Sequence, residues 1–136
     1  MARHAHRMTP TDLAYGDPAG LGALRLAIAA RLRTARAVNC EADNLLVTSG
    51  SQAGLRLSAA VLLRRGDRVA IEDPSYPGAR AAFTAAGAEL VPIPVNEEGL
   101  DVAALARHKR IRAVYVTPSH QYPLGFSMSV SRRLAL

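Results

Sequence analysis

Cysteine is almost absent from this chain: Cys40 stands alone among 136 residues. No disulfide can close within it, and a reducing, cytoplasmic setting fits that economy. Lysine is as scarce. Lys109 is the single example, and every other cationic side chain is arginine, a bias of the kind GC-rich coding produces. No apolar run approaches the length of a bilayer span. The opening residues, MARHAHRMTPTD, are basic, but no apolar stretch follows them, so a secretory signal is not expected. Residues 1–13, with His4 and His6, read as a flexible basic tip. Several signatures are missing too. GLGALR at Gly20 lacks the third glycine and the preceding strand of a dinucleotide fingerprint. GSQAG has Ser49 where a nucleophile elbow begins with glycine. There is no P-loop and no His/Cys/carboxylate grouping fit for a metal.

What is present suits one globular domain with a real core: 49% of residues are hydrophobic and 21% charged. Net charge is +6. Basic residues gather at Arg31, Arg33 and Arg36, at Arg64, Arg65 and Arg68, and from Arg107 to Arg112. These positions fall near predicted helix C-termini, where cations complement the helix dipole. That reading is preferred to a nucleic-acid patch, because no basic–aromatic interleaving accompanies the charge.

Leu24, Ala27, Ile28 and Leu32 recur at helical spacing and predict a helix from Leu21 to Thr34. Asn44 to Val47 reads as a short apolar strand. Ser51 to Arg65 returns to helical spacing, with Gly66 closing it as a C′ residue. Strands follow at Arg68–Ile71, Ala88–Val95 and Ile111–Thr117, and helices at Gly78–Ala86, Asp101–Arg107 and from Ser129. Pro92 and Pro94 place their strand near a sheet edge. The order is β-α-β-α-β-α-β, an α/β fold with short connections. An apolar LAL closes the sequence where a solvated end would be expected, so residues 14–136 read as the beginning of a longer domain.

Ligands in such sheets bind beyond the carboxyl ends of the strands. After Val47 come Gly50, Ser51 and Gln52, opening a helix with side-chain donors beside free amides, an arrangement suited to phosphate. A plain serine cap would look the same. After Ile71, two prolines brace Tyr76, whose ring could lie over a planar ligand or be a half-buried loop residue. After Val116, TPSHQYPLG sets His120, Gln121 and Tyr122 between prolines. A turn explains the prolines and Gly125 but not three consecutive large polar side chains.

Taken in order, YGDPAGLGALRLAIAARL, VTSGSQAGLRL, GDRVAIEDPSYPGARAAF, GAELVPIPVNEEGLDV and VTPSHQYPLGFSMSVSRRLAL resemble the aminotransferase class I/II superfamily. These are fold-type I enzymes dependent on pyridoxal phosphate (PLP). TPSHQYPLG with RRLAL is similar to the MocR-type regulators, where such a domain follows a GntR-type winged helix. The resemblance implies part of a three-layer α/β/α large domain. It implies that Gly50, Ser51 and Gln52 hold the PLP phosphate and that Tyr76 stacks on the pyridine ring. His120 and Gln121 would line the pocket, and Tyr15 would reach the phosphate in a partner subunit of a homodimer. Tyr122 stands where most transaminases place an asparagine toward the cofactor's phenolic oxygen, a departure from the pattern.

PLP chemistry needs a Schiff-base lysine and an acidic partner for the ring nitrogen. The resemblance locates both beyond the matched stretch. Lys109 precedes the fourth strand, at the wrong end of the sheet. The expectation is therefore an aminotransferase-like piece of a PLP-binding domain, with weak or no PLP binding and no catalytic residues of its own, from a regulator that binds DNA through a domain not present here. The alternatives are a piece of an amino-acid aminotransferase and an orphan phosphate-binding α/β module.

Overall fold

The structure, a computed structural model, describes residues 15–136, so the expected basic tip lies outside the described residues. Contacts divide the chain into two units, 1–49 and 50–136.

In the first unit, helix α1 (Gly22–Arg36) runs two residues beyond its predicted end and closes on Ala37 in left-handed conformation. Arg25 ties the unit together. Its guanidinium donates to Gly20 O, to Ala42 O and to Asp17 Oδ2, the last at 2.6 Å. The predicted strand at Asn44–Val47 does not form. A 3-10 turn (Ala42–Asn44) takes its start, closed by reciprocal bonds between Glu41 and Asn44. Leu45 N then bonds Ala42 O and Val47 N bonds Ala19 O. With the amides of Asn44 and Leu45 spent on the turn and that of Val47 on Ala19 O, the segment joins no strand ladder.

The second unit is the α/β sheet. Helix α2 (Ser51–Leu62) stops three residues short of its expected end, because Leu63 turns extended. Gly66 therefore belongs to the turn into the sheet, where its amide bonds Gly87 O, and is no helix cap. Strand β1 (Arg68–Asp73) leads to helix α3 (Pro77–Ala85), strand β2 (Glu89–Asn96), a two-residue strand β3 (Gly99–Leu100), helix α4 (Val102–Ala106), strand β4 (Ile111–Tyr115) and helix α5 (Val130–Ala135). The strand order is β3-β2-β1-β4. β1 pairs in parallel with β2 and β4, whereas β3 folds back antiparallel on β2. Sequence spacing missed β3. Its turn depends on Gly99, whose φ is +89° and where an added Cβ would lie 2.9 Å from Met128 Cα. Pro92 and Pro94 sit in β2 as an edge-near strand allows, and Pro94 O accepts from Asp101 N on the β3 side.

β1 is buried on both faces, which explains its unbroken apolar run. Val69 and Ile71 pack on one side with Ala59 of α2 and Ala79 and Phe83 of α3. Ala70 packs on the other with Val91, Ile93, Leu100 and Met128, flanked by residues of α4. Helices thus cover both sheet faces. Burying a side chain such as Ile71 or Ile93, both fully enclosed, contributes about 1.5–3 kcal/mol.

Candidate cofactor site

The loops after β1 and β4 meet beyond the carboxyl ends of their strands, and a buried carboxylate joins them. Glu72, 1% exposed, accepts from Thr117 Oγ1 at 2.6 Å and from Thr117 N at 3.2 Å. Gln121 Nε2 approaches the same carboxylate at 3.5 Å and donates to Pro74 O and Tyr122 O, each at 2.7 Å. Its carbonyl accepts from Leu124 N. Gln121 is therefore a brace across the two loops, with its amide spent on protein atoms. His120, next to it, is exposed on the turn.

That brace presents two rings. Tyr76 and Tyr122 pack edge to face, with centroids 5.6 Å apart and planes at 78°. Tyr76 is half-buried and Tyr122 exposed. Gln52 Nε2 donates to the Tyr76 hydroxyl at 3.2 Å, which connects the start of α2 to the ring pair. Gly78 is needed for this contact: a Cβ there would overlap Gln52 Nε2 and come within 2.7 Å of the Tyr76 ring.

Gly50 is the N-cap of α2, at φ +122°, with no side-chain cap bond. Ser51 is consequently the first helical residue, which removes the plain serine-cap reading. The amides of Ser51, Gln52 and Ala53 precede the first turn-closing bond, from Gly54 N to Gly50 O, and a Cβ on Gly50 would meet only open space. Such a helix start favours an anion. On the loop before Tyr76, Ser75 Oγ is buried with no hydrogen-bond partner among the described residues. Donors at a helix start and a ring anchored through its hydroxyl suit a phosphorylated planar ligand such as PLP.

The structure thus brings Gln52, Tyr76, Gln121 and Tyr122 into one connected group, with Gly50 and Ser51 opening the helix that carries Gln52. Tyr15 belongs to the first unit and is fully exposed. Lys109 precedes β4, at the end of the strand away from these loops. Sequence reasoning passed over Glu72 and Thr117. The available signal was a carboxylate following directly on the buried run Val69–Ile71. Among the described residues no group of His, Cys, Asp or Glu could hold a metal, and no helix is long and apolar enough to cross a membrane.

Burial raises the Tyr115 hydroxyl above 10.0, the ordinary value for tyrosine, and the Glu72 charge and Tyr76 add to the effect. Below that pH both folded and unfolded chains keep the proton. As pH rises through 10.0 the unfolded chain ionises first, so stability should fall until the folded group also titrates. Unfolding measured across this alkaline range should show that decline in the native sequence and a shallower one in Tyr115→Phe.

A model of the family described as aminotransferase class I and II matches residues 1–129. The probable rhizopine catabolism regulatory protein MocR of Rhizobium meliloti is 39% identical over 137 residues, a match covering 100% of this chain and 27% of that protein. An archaeal alanine:glyoxylate aminotransferase has a similar structure, with a TM-score of 0.88 and 31% identity over 99% of this chain and 35% of its own. LysN, the α-aminoadipate aminotransferase of Thermus thermophilus, solved with N-(5'-phosphopyridoxyl)-L-leucine, gives 0.79 and 34%, covering 90% and 31%. The chain spans about a third or less of each.

Proposed function

Because the chain belongs to the aminotransferase class I and II family, its sheet being part of a fold-type I PLP-dependent domain, we propose that it holds PLP between the start of α2 and the two tyrosine loops. We propose further that the protein it represents is a MocR-type regulator. The observation that carries the first reading is the connected group from Gln52 through Tyr76 to Tyr122. The second is supported by identity to a regulator along the whole chain and by tyrosine at 122 in place of the transaminase asparagine.

Each residue then has a definite task. Ser51 and the first-turn amides of α2 donate to the phosphate. Gln52 fixes the Tyr76 hydroxyl, so that the ring is held flat for stacking on the pyridine. Tyr122 offers its phenol to the cofactor's phenolic oxygen, and His120 flanks the entrance. Gln121 serves by bracing the loops. Tyr15 reaches toward the phosphate of a second subunit, making the working form a dimer. Bound PLP supplies an electrophilic carbonyl and an electron-accepting ring. These residues bind and orient it; Lys109, at the opposite end of the sheet, takes no part. DNA would be bound by a winged helix outside this sequence, and the soluble protein would work in the cytoplasm.

A second reading, a piece of an amino-acid aminotransferase, is favoured by the likeness to the two solved enzymes. Both readings share the phosphate site, which Ser51→Ala tests. A hydrogen bond to a charged group contributes about 1.5–3 kcal/mol. Affinity for PLP and pyridoxamine phosphate should therefore fall roughly tenfold or more, with unphosphorylated pyridoxal little changed. Equal losses for phosphorylated and unphosphorylated ligands would remove the phosphate role.

A further inference from the structure

The end of the sheet opposite the cofactor loops gathers seven of the chain's 17 lysines and arginines. Arg64, Arg65 and Arg68 lie between α2 and β1, and Arg107, Lys109, Arg110 and Arg112 lie around the entry to β4. The two segments are joined where Arg68 Nη1 donates to Lys109 O at 2.7 Å and Arg112 Nε to Leu62 O at 3.2 Å. Nearby acids are few. Asp67 accepts from the Arg64 amide, and Glu89 pairs with Arg68 at 3.4 Å.

The helix dipole accounts for little of this charge beyond Arg107, which sits at the C-terminal end of α4. Among the described residues α2 and α4 have no basic residue in the last turn, in contrast to Arg33 and Arg36 of α1. Because α2 ends at Leu62, Arg64 and Arg65 fall beyond it on an exposed turn. Arg65, Arg107, Lys109 and Arg110 are exposed, and their side chains have no hydrogen-bond or ion-pair partner among the described residues. Arg110 even holds a left-handed backbone, φ 59°, a conformation that costs a non-glycine residue about 1–2 kcal/mol. Like charges collected without partners repel one another, and a polyanion would relieve that repulsion.

We propose that this rim is a surface for the phosphate backbone of double-stranded DNA, additional to any winged helix. Arginine forks match phosphate oxygens in pairs, and such contacts carry affinity without reading sequence. The choice of DNA among polyanions rests on the regulator reading. The rim faces away from the tyrosine loops, so DNA and PLP would not compete.

The test is fluorescence anisotropy of a random-sequence duplex with the 136-residue chain at about 0.15 M salt, with no PLP present. Lys109→Glu with Arg110→Glu should raise Kd roughly tenfold or more and lower the salt slope by roughly 0.9 for each phosphate no longer neutralised. Arg56→Glu with Arg80→Glu makes the same change in net charge on helix positions of the same unit outside the rim, and should leave Kd within about twofold. Equal losses in the two variants would reduce the effect to overall charge and overturn the proposal. Native protein that ignores DNA but binds vesicles of anionic phospholipid would replace it with a membrane surface. Absence of DNA binding with normal PLP binding would sink the rim and leave the cofactor site standing; the reverse result would do the opposite.

Discussion

Glu72→Ala is expected to cost about 3 kcal/mol or more of folding stability. The carboxylate is the shared acceptor for Thr117 N and Thr117 Oγ1, with Gln121 Nε2 at its edge. Removing it leaves these donors without that acceptor at a buried position, and an unsatisfied buried group costs about 1–3 kcal/mol. Total stability of ordinary domains is about 5–15 kcal/mol, so the loss is a large share. Glu72→Gln keeps one acceptor oxygen and should lose roughly half as much. Denaturant unfolding measures both. The Tyr76 and Tyr122 loops should also drift apart in the alanine variant, weakening PLP binding beyond the loss in stability. A loss below about 1 kcal/mol for alanine would mean that water takes over the carboxylate's role and that the brace is dispensable.

The isolated chain should associate with itself. β4 ends the observed strand order, and its outer edge pairs with no strand among the described residues. Val61 and Leu62 of α2 are exposed, as are Val130 and Leu134 of α5, the last by 83%. Unpaired edges and apolar patches both promote association. Sedimentation velocity over a range of concentrations should show oligomers in place of a single monomer boundary. Val130→Glu with Leu134→Glu should shift the distribution toward monomer if the patch on α5 dominates. A native chain that stays monomeric and unfolds cooperatively near the top of the usual stability range, about 15 kcal/mol, would defeat this prediction.

Much of this was legible beforehand, for reasons that can be named. β1, α3 and β2 announced themselves through apolar runs punctuated by Asp73-Pro74 and Gly87, and the loops that follow strands drew attention to Tyr76 and Tyr122. Three features stayed hidden. Asn44–Val47 has strand composition, yet strand formation is a property of pairs, and its amides bond to Ala42 in the turn and to Ala19 in an earlier loop, not to a strand. Gln121 was expected to line the pocket on the resemblance; its engagement with Pro74 O depends on a loop 47 residues away in sequence. The end of α2 at Leu62 in place of Arg65 changed the meaning of a charge cluster. Spacing alone could not separate a dipole-capping arginine from one left over for a partner.

The edge-on tyrosine pair makes the site observable by its own signals. The chain contains no tryptophan and four tyrosines. Aromatic magnetic and optical signals therefore come from few rings, and two of these sit 5.6 Å apart with one pointing its edge at the face of the other. Ring currents fall steeply with distance and angle, so the proton resonances of Tyr76 and Tyr122 should be displaced from those of a free phenol and should move together. Any molecule sliding over the Tyr76 face, and any slackening of the Glu72 brace, would change that displacement. The protein carries its own gauge of the site, readable without a label.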